Sequence, residues 1–288
     1  MMNKILLVGG DSRLAKVFYN MYKNDKTNDI WRTTRNKTKK KKIIYLDLFN
    51  ISSFDHYCNF NQVVIIGGVV DYNICEKNYK YAKKINCKNI PKLIQNFLKF
   101  GSHVVFISTN TVFKFKKKLP NEKSKTCPGF KYAHLKDLAE KKILRLKKKY
   151  KSVSILRLTK NLDKKSTPIN KWIVNLRKNK PIVAFKDLYF APILYSDSAI
   201  MIRQILKHSQ YGIFHLSGEK DLSYCSFAGL LIKKLKKNKK LLSCRSSKDL
   251  NYKLIYNHDI TALDMKYTKT IFKTKPVKIN SVIDYLIN

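Results

Sequence analysis

The chain has 288 residues, 44% hydrophobic and 12% aromatic, enough for one large α/β body with a smaller lobe and too much for global disorder. Lysine and arginine number 60 against 19 acidic residues, and the resulting charge of +41 attracts polyanions. The lysines nevertheless gather in runs (Lys39–Lys42, Lys116–Lys118, Lys147–Lys149 and the 233–240 stretch) without interleaved aromatics. That pattern, alongside much Asn, Ile and Tyr from AT-rich codons, predicts solvated surface and no specific nucleic-acid function. The longest apolar run, Val63 to Val70, falls far short of the roughly 20 residues of a membrane helix. Gly9-Gly10-Asp11 ends the apolar start before a signal-peptide core can form, so a cytoplasmic protein with no membrane partner is expected. The 6 cysteines include no C-x-x-C pair, which predicts reduced, mostly buried thiols and no metal site.

In chain order, strands are expected at Lys4–Val8, Asp29–Thr33, Lys42–Leu46, Gln62–Ile66, His103–Ser108 and Ser152–Arg157. Helices are expected at Ser12–Lys23, Glu76–Phe100 and Phe130–Lys149. Val63–Ile66 and Val104–Ile107 read as strands buried on both faces. The alternation predicts a doubly wound, parallel Rossmann-type α/β sheet. Beyond about residue 160 the pattern loosens around Pro168, Pro181 and Pro192, with amphipathic segments at Ser196–Lys207 and Tyr224–Lys237. The expected division is a nucleotide-binding domain over 1–160 and a smaller, partly interwoven substrate lobe over 161–288.

The first strand runs into Gly9-Gly10-Asp11-Ser12-Arg13-Leu14-Ala15. Such a turn lets backbone N–H groups approach a pyrophosphate at the positive end of a helix. Gly9, Asp11, Ser12, Arg13 and Leu14 are therefore candidate cofactor contacts, against the alternative of an ordinary tight turn. Arg32 and Arg35, at the end of the second strand, suit a ribose 2′-phosphate where an acidic residue would suit a 2′-hydroxyl, which favours NADP(H) over NAD(H). Asp47 and Leu48 after the third strand, Gly67-Gly68 after the fourth, and Tyr132 and Lys136 further along complete the candidate cofactor set.

Ser108, Thr109 and Asn110 end the fifth strand, followed by Tyr132-Ala133-His134-Leu135-Lys136. Tyr132 and Lys136 are spaced i, i+4 and so share one helix face. A nearby ammonium favours the tyrosinate, which makes the phenol a usable general acid or base for a carbonyl. Thr109, with Tyr132 and Lys136, is the candidate catalytic set; Ser108, Thr109 and Asn110 are the candidate substrate contacts.

These segments resemble the extended short-chain dehydrogenases/reductases, and within them the dTDP-4-dehydrorhamnose reductase branch. Ile107–Phe113 is similar to the family's I-S-T-D-x-V-F, with Asn110 in place of Asp. Tyr132, Lys136 and Glu140 match its Y-x-x-x-K and following Glu, and Asn86 and Arg157 match two further positions. Lys186–Pro192 resembles its substrate-lobe segment, and Gly212–Gly218 followed by Ser223–Ala228 resembles its G-x-y-h-l-s-G … S-y-x-e-f-A region. The resemblance implies hydride transfer between NADP(H) and a nucleotide-linked keto sugar, as reductase, epimerase or dehydratase. Tyr132 would supply the proton, Lys136 would tune it and bind the nicotinamide ribose, and Thr109 would orient the carbonyl. A nucleotide sugar is the implied partner and a homodimer one assembly. The alternative reading is a non-catalytic NADP-binding regulatory or scaffold subunit on the same fold.

Overall fold

The computed structural model describes residues 2–52, 54–114, 118–250, 255 and 260–288; Lys116 and Lys117 of the second lysine run lie outside the described residues. The chain divides into two compact units, one of Met1–Val112, Thr126–Arg157 and Ser196–Phe214, the other of Phe113–Lys125, Leu158–Tyr195 and His215–Asn288.

The first unit alternates strand and helix: β1 (Asn3–Val8), α1 (Arg13–Tyr22), β2 (Asn28–Thr34), β3 (Ile43–Tyr45), β4 (Gln62–Ile65), α2 (Tyr72–Lys77), α3 (Tyr79–Lys83), α4 (Ile90–Lys99), β5 (His103–Thr109), α5 (Lys131–Lys147) and β6 (Val153–Leu158). With the strand Gly212–Leu216 they build a seven-stranded sheet in the order Gly212–Leu216, β6, β5, β4, β1, β2, β3. Pairing from β3 through β2, β1 and β4 to β5 is parallel, with Val8 opposite Ile65 and Leu7 opposite Arg32. The expected doubly wound parallel architecture is the one observed. Strand order reverses between β1 and β4, and in such sheets ligands bind outside the carboxyl ends at that switch point.

The apolar runs explain the central strands. Ile5 to Val8, Val63 to Ile65 and Val104 to Phe106 are all at most 1% exposed, so the sheet is covered on both faces. Burying one such side chain stabilises the fold by about 1.5–3 kcal/mol. Around them pack Phe97 and Leu93 of α4 and Ala139 and Ile143 of α5.

The expected single helix over Glu76–Phe100 is broken in two ways. Asn78 caps α3 by accepting the Tyr81 amide, which ends α2 at Lys77. Further on, Lys84–Asn89 forms a π turn in which the Ile90 amide reaches back to the Ile85 carbonyl. Pro91 follows at the start of α4. A proline has no amide to donate and crowds the carbonyl four residues back, and one wide turn accommodates both.

The second unit is built from short pairs. Lys160–Leu162 runs parallel to Pro192–Leu194, Ile182–Phe185 parallel to Leu242–Arg245, and Tyr189–Phe190 antiparallel to Leu222–Ser223. The helices Ile169–Arg177, Tyr224–Lys234 and Ile279–Ile287 enclose a core that includes Trp172, Phe190, Phe227, Leu231 and Ile283. The expectation of reduced thiols fails at one pair. Cys225 and Cys244 form a disulfide with Cα atoms 5.6 Å apart, because the strand Leu242–Arg245 returns beside the helix Tyr224–Lys234. Of the remaining cysteines, Cys75 and Cys87 are buried while Cys58 and Cys127 are exposed. Among the described residues no helix is long and apolar enough to cross a membrane, and no group of three or more His, Cys, Asp and Glu is placed to hold a metal ion.

Candidate active site

The turn after β1 lies at the switch point. Gly9 has φ +84°, and a Cβ there would stand 2.5 Å from the Cα of Gly67, so both the conformation and the space require glycine. A Cβ on Gly10 would meet the Arg32 Cβ at 2.6 Å, and the Gly10 amide donates to the Thr33 carbonyl at 2.9 Å. The turn is thus sewn to β2 and β4. Ser12 caps α1 by accepting the Ala15 amide at 3.3 Å. The first-turn amides, those of Arg13 and Leu14 among them, have no carbonyl of their own helix to bond, which is the arrangement that receives phosphate. Leu14 contributes only backbone, since its side chain is buried in the core.

A cavity of about 380 Å³ opens here, and Gly9, Asp11, Ser12, Arg35, Asp47, Leu48, Gly67 and Gly68 are among its walls. The two candidate arginines part company. Arg35 lines the cavity, whereas the Arg32 guanidinium lies 4.0 Å over the ring of Tyr19 and is not among the walls. Asp11 accepts from the Thr34 hydroxyl at 2.7 Å, tying its turn to the end of β2, and Asp47 accepts the Phe49 amide at 2.9 Å, shaping its own turn.

The second cluster lies where α5 packs against β5 and the short 3-10 turn Asn110–Val112 that follows it. The Lys136 ammonium donates to the Ile107 carbonyl at 2.6 Å and sits 3.9 Å over the Phe106 ring. Burial pushes its pKa down to about 8, against the opposing pull of Glu140 and Cys87. Tyr132, one turn earlier on the same helix, is 8% exposed and packs with Tyr72 (ring centroids 4.9 Å apart), Cys75, Cys87 and Leu135. The Thr109 hydroxyl is within bonding distance of the Thr111 hydroxyl at 3.1 Å and accepts the Thr111 amide at 3.2 Å. Asn110 is buried beside it, with its side-chain oxygen 3.3 Å from the Thr109 hydroxyl. The Ser108 hydroxyl is buried without a hydrogen-bond partner, a state that costs free energy until a ligand or water satisfies it. Behind the cluster, Arg157 pairs with Glu140 at 2.6 Å, both 2% exposed.

Sequence reasoning missed several walls of the cavity: Thr33 and Thr34 on β2, Val69 and Val70, Ile74 of α2, and Tyr81 and Ile85 before α4. The available signal was Asn86. Its side chain accepts the Val69 amide and donates to the Val69 carbonyl, each at 2.9 Å, clamping the segment after Gly68 like a neighbouring strand. Asn89 does related work on the other wall, donating to the carbonyls of Leu48 and Phe49 at 2.9 and 2.8 Å.

The sequence profile of the RmlD substrate binding domain family matches residues 2–288. No curated protein matches the chain. Among solved structures, a dTDP-4-dehydrorhamnose reductase of Clostridium acetobutylicum is similar at 20% identity and TM-score 0.81, with 98% of each chain covered. A dTDP-4-dehydrorhamnose reductase of Bacillus anthracis, in complex with NADP, is similar at 18% identity and TM-score 0.83, covering 100% of this chain and 98% of that one. A dTDP-glucose 4,6-dehydratase of the same organism, in complex with NAD, is similar at 15% identity and TM-score 0.80, covering 99% and 95%. At these identities the structural likeness shows a shared fold.

Proposed function

The chain belongs to the RmlD substrate binding domain family, and from that premise we propose that it is an NADP(H)-dependent reductase of a nucleotide-linked keto sugar. The observation that carries the reading is the Lys136 ammonium held at the Ile107 carbonyl. It fixes the face of α5 that bears Tyr132 against the strand end that bears Ser108 and Thr109.

The residues of the first unit fit the dinucleotide. A glycine-only turn sits against β4, first-turn amides lie at the switch point, and among the described walls of the cavity the one cation is Arg35, at the end of β2. Gly9, Ser12, Arg13 and Leu14 would hold the pyrophosphate, Asp47 and Leu48 the adenine end, and Arg35 the 2′-phosphate. The bound cofactor supplies the hydride. Tyr132 donates the proton that the reduced sugar oxygen requires, and Lys136 steadies the phenol and the nicotinamide ribose through its charge. Thr109 and Ser108 orient the sugar carbonyl with their hydroxyls. The second unit supplies the substrate lobe in this reading, and a nucleotide sugar of the kind named for the related reductases is its ligand.

One observation favours a second reading, a dinucleotide-binding subunit without turnover. Thr109, Tyr132 and Lys136 are not among the walls of the described cavity, and Tyr132 sits in an apolar cluster. The deciding experiment is an NADPH-oxidation assay across nucleotide 4-keto sugars. Substrate-dependent turnover supports the reductase; NADPH binding by calorimetry without turnover on any of them supports the binder.

A further inference from the structure

Beside the cofactor cavity lies a second cleft of about 400 Å³ whose chemistry differs from the first. Lys84, Lys88 and Lys92 line it, four residues apart along the π turn and α4, and no aspartate or glutamate is among its described walls. Among the described residues none of these three ammonium groups forms an ion pair with a carboxylate. Asn50 and Asn96 add neutral amide donors to the same concavity. The wall opposite the lysines is held in place by Asn89, which is buried and donates to Leu48 and Phe49; the Lys84 ammonium stands 3.5 Å over the Phe49 ring at the edge of that wall.

Like charges four residues apart on a helix repel and cost stability. Three of them around one concavity, with no acid opposite, are in place for an anion that offsets the repulsion. Lysines four residues apart along the π turn and α4 stand about one turn apart, roughly 6 Å or less along the axis, a span that lets two ammonium groups hold the outer phosphoryls of one short chain. Lysine suits this ligand as a compact point charge with three donors. The rings at the cleft are already engaged within the protein: Phe49 with Tyr81 and Lys84, and Tyr57 with Phe54, Phe97 and Phe100. That leaves no prepared platform for stacked bases, which single-stranded nucleic acid needs.

We propose that this cleft is a binding site for a small oligophosphate, a ligand of two or three linked phosphoryl groups, separate from the dinucleotide cavity. The proposal does not depend on the reductase reading. It is tested by titrating the full chain with inorganic triphosphate in a calorimeter, with saturating NADPH present to occupy the first cavity. One-to-one binding is expected, weakening as salt rises. The triple variant Lys84→Ala/Lys88→Ala/Lys92→Ala should lose affinity at least 10-fold while keeping its melting temperature and NADPH binding. A control variant, Lys233→Ala/Lys236→Ala/Lys240→Ala, removes equal charge elsewhere and should leave triphosphate affinity unchanged. Absence of binding at millimolar triphosphate would overturn the proposal. So would an equal loss in the control, or a single-stranded oligonucleotide that binds the same lysines more tightly than triphosphate does. Should the triple variant fail to fold, the single variant Lys88→Glu serves, with a loss of at least 10-fold expected and no change overturning the site.

Discussion

Arg157 grips Glu140 through two nitrogens, Nη2 2.6 Å from Oε2 and Nε 3.2 Å from both carboxylate oxygens, with each side chain only 2% exposed. The pair lies one helical turn beyond Lys136, and the Glu140 charge also holds the Lys136 pKa from falling further. Removing one partner of such a pair leaves an uncompensated charge in the interior. Arg157→Met should therefore destabilise the protein by about 3–5 kcal/mol in urea unfolding. The double variant Glu140→Gln/Arg157→Met should recover much of that loss. A single-variant cost below 1 kcal/mol would show that water reaches the pair.

The depressed pKa of Lys136, about 8 against an ordinary 10.5, gives two pH dependences of opposite sign. If Lys136 acts as proposed, its charged form supports turnover, so kcat/KM should fall as pH rises through about 8. Stability runs the other way: between about 8 and 10.5 the unfolded chain holds this proton and the folded chain does not, so this group's contribution grows with pH. The pH profile of unfolding should therefore flatten over that window in Lys136→Met relative to the parent.

Tyr132→Phe removes one oxygen and leaves the ring that packs against Tyr72. NADPH affinity and the melting temperature should be retained. Turnover on an accepted keto sugar should drop roughly 100-fold or more, the scale of a lost general acid. Undiminished turnover would remove Tyr132 from the chemistry.

The two arginines of the β2 end should separate experimentally. Arg35 lines the cavity and Arg32 rests on Tyr19. Arg35→Ala should weaken NADPH by about 10- to 100-fold, the loss of a charge-assisted contact of roughly 1.5–3 kcal/mol, and leave NADH nearly unchanged. Arg32→Ala should alter neither affinity by more than about 3-fold. Calorimetry with both cofactors reads the difference.

Gly9→Ala forces a side chain into a left-handed conformation and onto the Gly67 backbone, 2.5 Å away. About 2–4 kcal/mol of destabilisation is expected, with loss of NADPH binding, because strain and overlap add. Gly101→Ala is the comparison. It shares a positive φ, +80°, but nothing stands within 4 Å of its added Cβ, so only the smaller conformational cost of about 1 kcal/mol applies.

Much of the first unit was legible because its signals are local. Val63–Ile65 and Val104–Phe106 announce buried strands by composition, though Ile66 falls beyond its strand and Ile107 is half-buried, and Gly9-Gly10 announces a turn that no side chain could enter. The Tyr132–Lys136 spacing was equally readable, since a helix face is a property of spacing alone. Long-range geometry was not. Nothing in the residue pattern says that Arg32 will lie on Tyr19 while Arg35 turns to the cavity. The Cys225–Cys244 bridge was hidden for the same reason, because two segments 19 residues apart meet only after the strand Leu242–Arg245 has docked. Pro91 was visible within the 76–100 span, yet its effect, a widened turn and not a stop, depends on the packing around it.

That widened turn has a consequence for how this chain tolerates change in length. Lys84–Asn89 carries one residue more than a regular helix would use between the same end points, as the Ile90-to-Ile85 bond shows. Asn86 and Asn89 both lie within the widened turn, one clamping Val69 and the other Leu48 and Phe49. Excising a single residue there would let the helix run on without interruption and turn everything upstream by about 100° relative to α4. The two asparagines could then no longer reach their separate loops together. A one-codon deletion, harmless in most surface segments, would at this place open both walls of the nucleotide cavity.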